Sequence, residues 1–197
     1  SSTLGPMLEA WGVAFDPLRV VGDPLYALQV NTQASARPVR HLAILSLAAE
    51  SMNADDIVSG DLEAVNVSSA GWLAPVEGAS TRFTPLLSTS ENAGPIEASR
   101  LRFLANPQDL QAGFTATGDR YAVAARLEGP VDSAFDGPPA GLTLPDGTQH
   151  RSSADGEGVN VILFADTDLL TDRMWVSRQS FFGQTVSNAF ADNGTLV

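Results

Sequence analysis

No cysteine occurs among the 197 residues. That single absence excludes disulfides, zinc–thiolate sites and thiol nucleophiles. Lysine is missing too: all 11 basic residues are arginine, set against 23 acidic ones for a net charge of −12. Nucleic-acid binding needs cationic patches that displace phosphate counterions, and this balance argues against it. An anionic membrane surface would repel the chain for the same reason. Such acidity fits adaptation to high salt, where carboxylates keep a surface hydrated, and it also fits ordinary solubility. Long apolar runs are lacking as well. Leu42–Ala49 falls well short of the ~20 residues a membrane helix requires. No signal-peptide pattern opens the chain. Ser1 stands at what reads as a helix start and Val197 ends an apolar phrase. The expectation is a segment of a longer chain, with any membrane anchor outside it.

Catalytic phrases are equally scarce. There is no H-E-x-x-H, P-loop, G-x-G-x-x-G or G-x-S-x-G pattern, so neither ATP hydrolysis nor a nucleophile-elbow hydrolase is indicated and no cofactor is implied. The two histidines are His41, beside an apolar strand, and His150, in a loop-like stretch. His41 reads as a strand-end histidine with a satisfied hydrogen bond, and the alternative of a catalytic base finds no partner.

What is present is enough apolar residue, 44% of the chain, to build one core, and the length fits a single domain over residues 1–197. A helix is predicted over Leu4–Trp11, capped by Ser2 or Thr3, with Pro6 in its first turn and Gly12 ending it. Strands are predicted at Leu18–Val21, Leu25–Val30, Val39–Leu47, Arg82–Thr89 and Tyr121–Leu127. Ile57–Trp72 has a rough helical period behind Asp55 and Asp56, and Asp172 to Phe181 or Phe182 reads as another helix, broken by Gly183. Pro95–Phe103 fits strand or helix, and Asn106–Pro107 caps a short helix over Gln108–Gly113. Glu128–Gly158, rich in Gly and Pro, reads as a mobile surface loop. Val159–Ala165 is nearly continuous in apolar residues, as expected of a central parallel strand covered on both faces. Strands alternating with helices predict an α/β fold with a mainly parallel open sheet.

Asp166–Thr167–Asp168 directly follows that strand. Loops leaving parallel strands converge at one sheet edge, where ligands bind. Two carboxylates there suit Mg²⁺, and a Mg²⁺-dependent hydrolase using Asp166 and Asp168 is one alternative function. The competing reading is structural: Asp168 or Thr167 caps a helix and Asp166 fixes the turn. Asp23, in Gly22–Asp23–Pro24, either meets Asp168 across the edge or makes an Asx-turn. Asp23, Asp166, Thr167 and Asp168 are the candidate ligand residues, and no dedicated metal site is predicted. Trp11, Trp72 and Trp175 each fall on a predicted helix and read as packing residues, with a sugar-stacking platform as the sharper alternative.

Several phrases in order resemble the auxiliary component of ABC-type transport systems linked to gliding motility. They are Leu4–Val13, Arg19–Asp23, Arg37–Leu42, Asp61–Asn66, Phe83–Leu87, Leu101–Phe103, and Asn160–Leu170 continuing to Phe182–Gly183. The resemblance covers most of the chain outside the Gly/Pro-rich loop. It implies an extracytoplasmic, periplasm-facing region anchored by flanking helices and working beside an ABC permease or other membrane subunit. It implies an α/β sheet akin to flavodoxin-like and glutamine-amidotransferase-like folds, incomplete at its N-terminus. It also implies similarity to a domain of an intraflagellar transport protein for which carbohydrate binding has been suggested. No catalytic residues carry over. The expected function is therefore a non-catalytic protein-interaction or ligand-binding module, with carbohydrate binding as an alternative.

Overall fold

Strands rather than helices make up most of the regular structure among the described residues. The computed structural model describes residues 4–32, 37–138, 141, 143–154, 156, 158–181 and 184–196. Helix α1 (Gly5–Ala10) leads to strands β1 (Val13–Phe15), β2 (Arg19–Gly22), β3 (Ala27–Val30) and β4 (Val39–Ala48). Next come β5 (Ala64–Ser68), β6 (Leu73–Pro75), β7 (Arg82–Ser88), β8 (Gly94–Glu97) and helix α2 (Ala98–Arg102). The chain closes with β9 (Ala122–Gly129), β10 (Val159–Phe164), β11 (Val176–Phe181) and β12 (Gln184–Ala189).

Every pairing among the described strands is antiparallel. The expected α/β fold with a parallel, flavodoxin-like sheet is therefore wrong. The reason is connectivity. Parallel neighbours need a crossover of a dozen or more residues, usually a helix, whereas α1 has 6 residues and α2 has 5. Five strands form the largest sheet, with β9 between β7 on one edge and β6 and β10 on the other. Three further sheets pair β3–β4–β5, β2–β8 and β11–β12.

β10 is an edge strand, half-buried, and antiparallel to β9. The interior position predicted for Val159–Ala165 belongs instead to β9, whose Val123, Ala124, Ala125 and Leu127 are almost fully buried. Small alanines let neighbouring layers approach both faces of β9. Val123 and Ala124 join the largest core with Leu45, Leu47, Val65, Val67, Leu86 and Leu87. Ala125 and Leu127 join a second core with Leu8, Val13 and Leu73. A third core unites Val20, Leu42, Ile96 and Leu110.

Two predicted helices are replaced by strands. Over Ile57–Trp72 the chain makes turns and then β5. Asn53 Oδ1 accepts from Asp55 N and Asp56 Oδ1 from Val58 N. Such side-chain bonds offer the backbone an alternative to the helical ladder. Ile57, which a helix would bury, is 96% exposed. Downstream, Asp172–Met174 is a single 3₁₀ turn, after which β11 pairs with β12 in a hairpin. Phe182 and Gly183, and the Ser2 or Thr3 cap, lie outside the described residues.

Other expectations hold locally. Gly12, at φ +75°, ends α1 by donating to Glu9 O, and a Cβ there would lie 2.3 Å from Ala79 Cβ. Pro95–Phe103 is strand and then helix. Asn106 Oδ1 accepts from Gln108 N, capping a 3₁₀ turn over Pro107–Gln111 rather than a helix to Gly113. Residues 130–158 connect β9 to β10 without a further regular strand or helix among the described residues, though Asp132 bridges Ser153 at their root. Among the described residues no helix is long and apolar enough to cross a membrane.

Candidate functional site

The side chains of β5 alternate. Val65 and Val67 are fully buried in the main core, so Ala64, Asn66 and Ser68 face the other side of the sheet. These even-numbered residues also turn their backbone groups away from β4. An unpaired strand edge invites association, and buried unpaired groups cost free energy. Here side chains satisfy the edge. Asp192 Oδ2 accepts from Glu63 N at 2.8 Å and Ala64 N at 3.0 Å, while Asp192 N donates to Ala64 O. Asn193 Oδ1 accepts from Asn66 N and its Nδ2 donates to Asn66 O at 2.7 Å. Asp166 Oδ2 accepts from Ser68 N at 2.8 Å.

The Asp166–Thr167–Asp168 turn thus completes the sheet. Asp166 Oδ1 also accepts from Asp168 N at 2.7 Å. Burial pushes the Asp166 carboxyl above its ordinary pKa, against the lowering effect of its bonds to Ser68 and Asp168. Thr167 is exposed. Asp168 is ion-paired to Arg173 at 2.7 Å. Asp23 is fully buried: its Oδ1 accepts from Leu25 N, the expected Asx-turn, and both oxygens receive Ser90 groups at 2.8 and 3.0 Å. The structure therefore gathers Asp166, Thr167 and Asp168 in one turn. No hydrogen bond or ion pair joins Asp23 to them among the described residues. Nor do the described residues contain a group of three or more His, Asp or Glu placed to hold a metal ion.

Beside this turn lies a cleft of about 350 Å³. Leu28, Gln29 and Val30 of β3, Ile44 of β4, and Asn66 and Ser68 of β5 form its floor; Arg173, Met174 and Phe190 border it. Asn66 Nδ2 donates to Met174 O at 2.7 Å, which fixes the amide orientation. Its Oδ1 is buried and has no partner among the described residues. The sequence does not single out Asn66, Arg173 or Asn193: Asn66 falls in the helix expected over Ile57–Trp72, Arg173 in the one expected from Asp172, and Asn193–Gly194 reads as a turn. The alternation Val65–Asn66–Val67 was the available signal for a strand with a polar outer face. A second cleft, about 390 Å³, is bounded by Ile57, Leu62, Asp192 and Leu196 among others.

The tryptophans are engaged in packing, Trp11 against the core of Leu8 and Leu127. Trp72 meets Tyr121 edge-on at 5.1 Å. Gly194 sits against Trp175, where a Cβ would lie 2.6 Å from the ring. His41 is buried in β4 with Nδ1 accepting from Ala43 N, and burial lowers its pKa. His150 Nε2 lies 2.9 Å from Phe135 O.

The family model described as "ABC-type uncharacterized transport system" matches residues 1–197. The chain belongs to this family. Its members are auxiliary components of ABC-type transport systems, so association with the system's membrane subunits is the partner class that membership implies. No curated protein and no solved structure matches the chain.

Proposed function

We propose that this chain is a non-catalytic accessory domain of an ABC-type transport system, held on the extracytoplasmic side of the membrane by segments outside it, where it binds a membrane subunit. The observation that carries this reading is the family match over residues 1–197. The fold supports a binding role. The β11–β12 hairpin pairs with no other described strand, with β12 exposed throughout, and exposed strands are common peptide-docking elements. Two observations support a non-catalytic reading: neither histidine is bonded to a hydroxyl among the described residues, and the Asp23–Ser90 carboxylate–hydroxyl pair is buried away from solvent. In-cell crosslinking of the tagged protein, followed by mass spectrometry of the membrane fraction, should recover a transporter permease or its neighbour. Recovery of soluble cytosolic partners alone would overturn the reading. Protease added to spheroplasts should degrade the domain; protection of the domain until lysis would refute the extracytoplasmic placement. A screen of ester, phosphate and glycoside substrates should show background rates.

A further inference from the structure

We propose that the cleft across β3, β4 and β5 binds a small neutral ligand with an apolar body and one N–H or O–H donor. The cleft is built around a single unmet acceptor. Asn66 is 4% exposed, its Nδ2 is committed to Met174 O, and its Oδ1 has no partner among the described residues. Strand alternation directs this side chain to the cleft face, because Val65 and Val67 enter the core on the other. A buried amide oxygen left unpaired is a costly state that a ligand donor relieves.

The walls decide the rest of the ligand. Leu28, Val30 and Ile44 offer an aliphatic floor, which disfavours a charged body. Arg173, the cation on the rim among the described residues, is already paired with Asp168, so an anion finds its charge largely neutralised. A volume of about 350 Å³ lies at the small end of ligand sites, which run from about 300 to 1,000 Å³. Oδ1 is shielded from solvent, so a ligand reaches it as the side chains lining the cleft shift; Met174, on its border, is an adaptable one.

Indole and benzofuran provide a matched probe pair, nearly equal in shape and differing in the N–H donor. NMR titration of the 197-residue chain with indole should give saturable shifts in the Asn66 side-chain amide and the Leu28 and Ile44 backbone amides. Benzofuran should bind about tenfold more weakly, the usual worth of a hydrogen bond to a buried unmet group. Asn66→Leu should abolish that difference. Phe190→Ala, at an exposed position, should fold normally and weaken both probes. Equal binding of both probes to the wild type, shifts confined to other residues, or no saturable response would each overturn the proposal. The outcome is independent of the crosslinking result, since neither probe engages a transporter subunit.

Discussion

Asn193 is fully buried and makes hydrogen bonds to Asn66 N, Asn66 O and Leu169 O. Replacing it with Ala leaves those backbone groups without their partners, and each unsatisfied buried group costs about 1–3 kcal/mol. Asn193→Ala should therefore lower stability by at least about 2 kcal/mol in urea unfolding; a change within error would show that the β5 edge tolerates an open flank. Two carboxylates make opposite pH predictions. Asp56 is joined to Arg126 at 2.7 and 2.9 Å, their side chains 11% and 17% exposed, and this hydrogen-bonded pair holds the Asp56 carboxyl below its ordinary pKa. Its contribution is present above the unfolded pKa of about 3.9 and is lost as pH falls through the folded value. Arg126→Met should cost about 1–3 kcal/mol at pH 7, and the gap from wild type should narrow in acid. Asp166 has the reverse sign. Burial raises its folded pKa, so the native state holds its proton longer than the unfolded chain and stability declines as pH rises from the unfolded to the folded value. Asp166→Asn keeps an acceptor for Ser68 N and should remove that decline. Melting curves of both variants from pH 3 to pH 8 test the pair.

At the scale of elements, protection from solvent should follow sheet position. β9 is flanked on both edges and packed on both faces. Among the described strands the β11–β12 hairpin pairs only with itself, from Val176↔Ala189 to Phe181↔Gln184. An isolated two-stranded hairpin is marginal in water, so its amides should open without global unfolding. Hydrogen exchange should protect Val123–Leu127 most and the hairpin amides least. Equal protection of the two would mean that the hairpin is covered in solution. Element scale also explains how β10, with its apolar Val161–Phe164 run, sits at an edge. Val161, Leu163 and Ala165 pack against the core of Leu8, Leu73 and Leu127, and Ile162 and Phe164 pack against the largest core. An apolar strand needs covered faces, and one paired edge is sufficient.

For the whole molecule, the connection from β9 to β10 is the long segment through which the chain should be severable. Its root is tied by Ser133 N to Ser152 O and Ala154 N to Val131 O, while Phe135 is 60% exposed. Brief subtilisin treatment should cut first between Phe135 and His150. The two fragments should remain together, because β9 and β10 keep their register from Val159↔Gly129 to Phe164↔Ala124. First cleavage in the β7–β8 region, or immediate dissociation of the nicked protein, would contradict this.

Strand locations were legible wherever the residues themselves settle the backbone. β4 is a mostly apolar run along Val39–Ala48, β9 carries the Ala–Val–Leu pattern, and Pro6 with Gly12 bounds α1. Period and backbone restriction are local properties, so local sequence carries them. The direction of pairing was not legible. An apolar run such as Val159–Ala165 suits a central parallel strand and an edge antiparallel one equally, and only the lengths of the connecting helices separate the two. The helix expected over Ile57–Trp72 has the same origin: Ile57, Leu62, Val65 and Ser69 fit a rough helical period in sequence, yet the place of the segment is decided by pairing such as Asn66 with Ser46 across the sheet and with Asn193 from 127 residues away. The candidate site divides likewise. Asp166–Thr167–Asp168 stood out as a strand-end turn from sequence alone, including its structural alternative. Its role in closing the β5 edge, the unmet Asn66 acceptor and the apolar floor beneath it arise from contacts between distant segments, which tertiary packing alone brings into register.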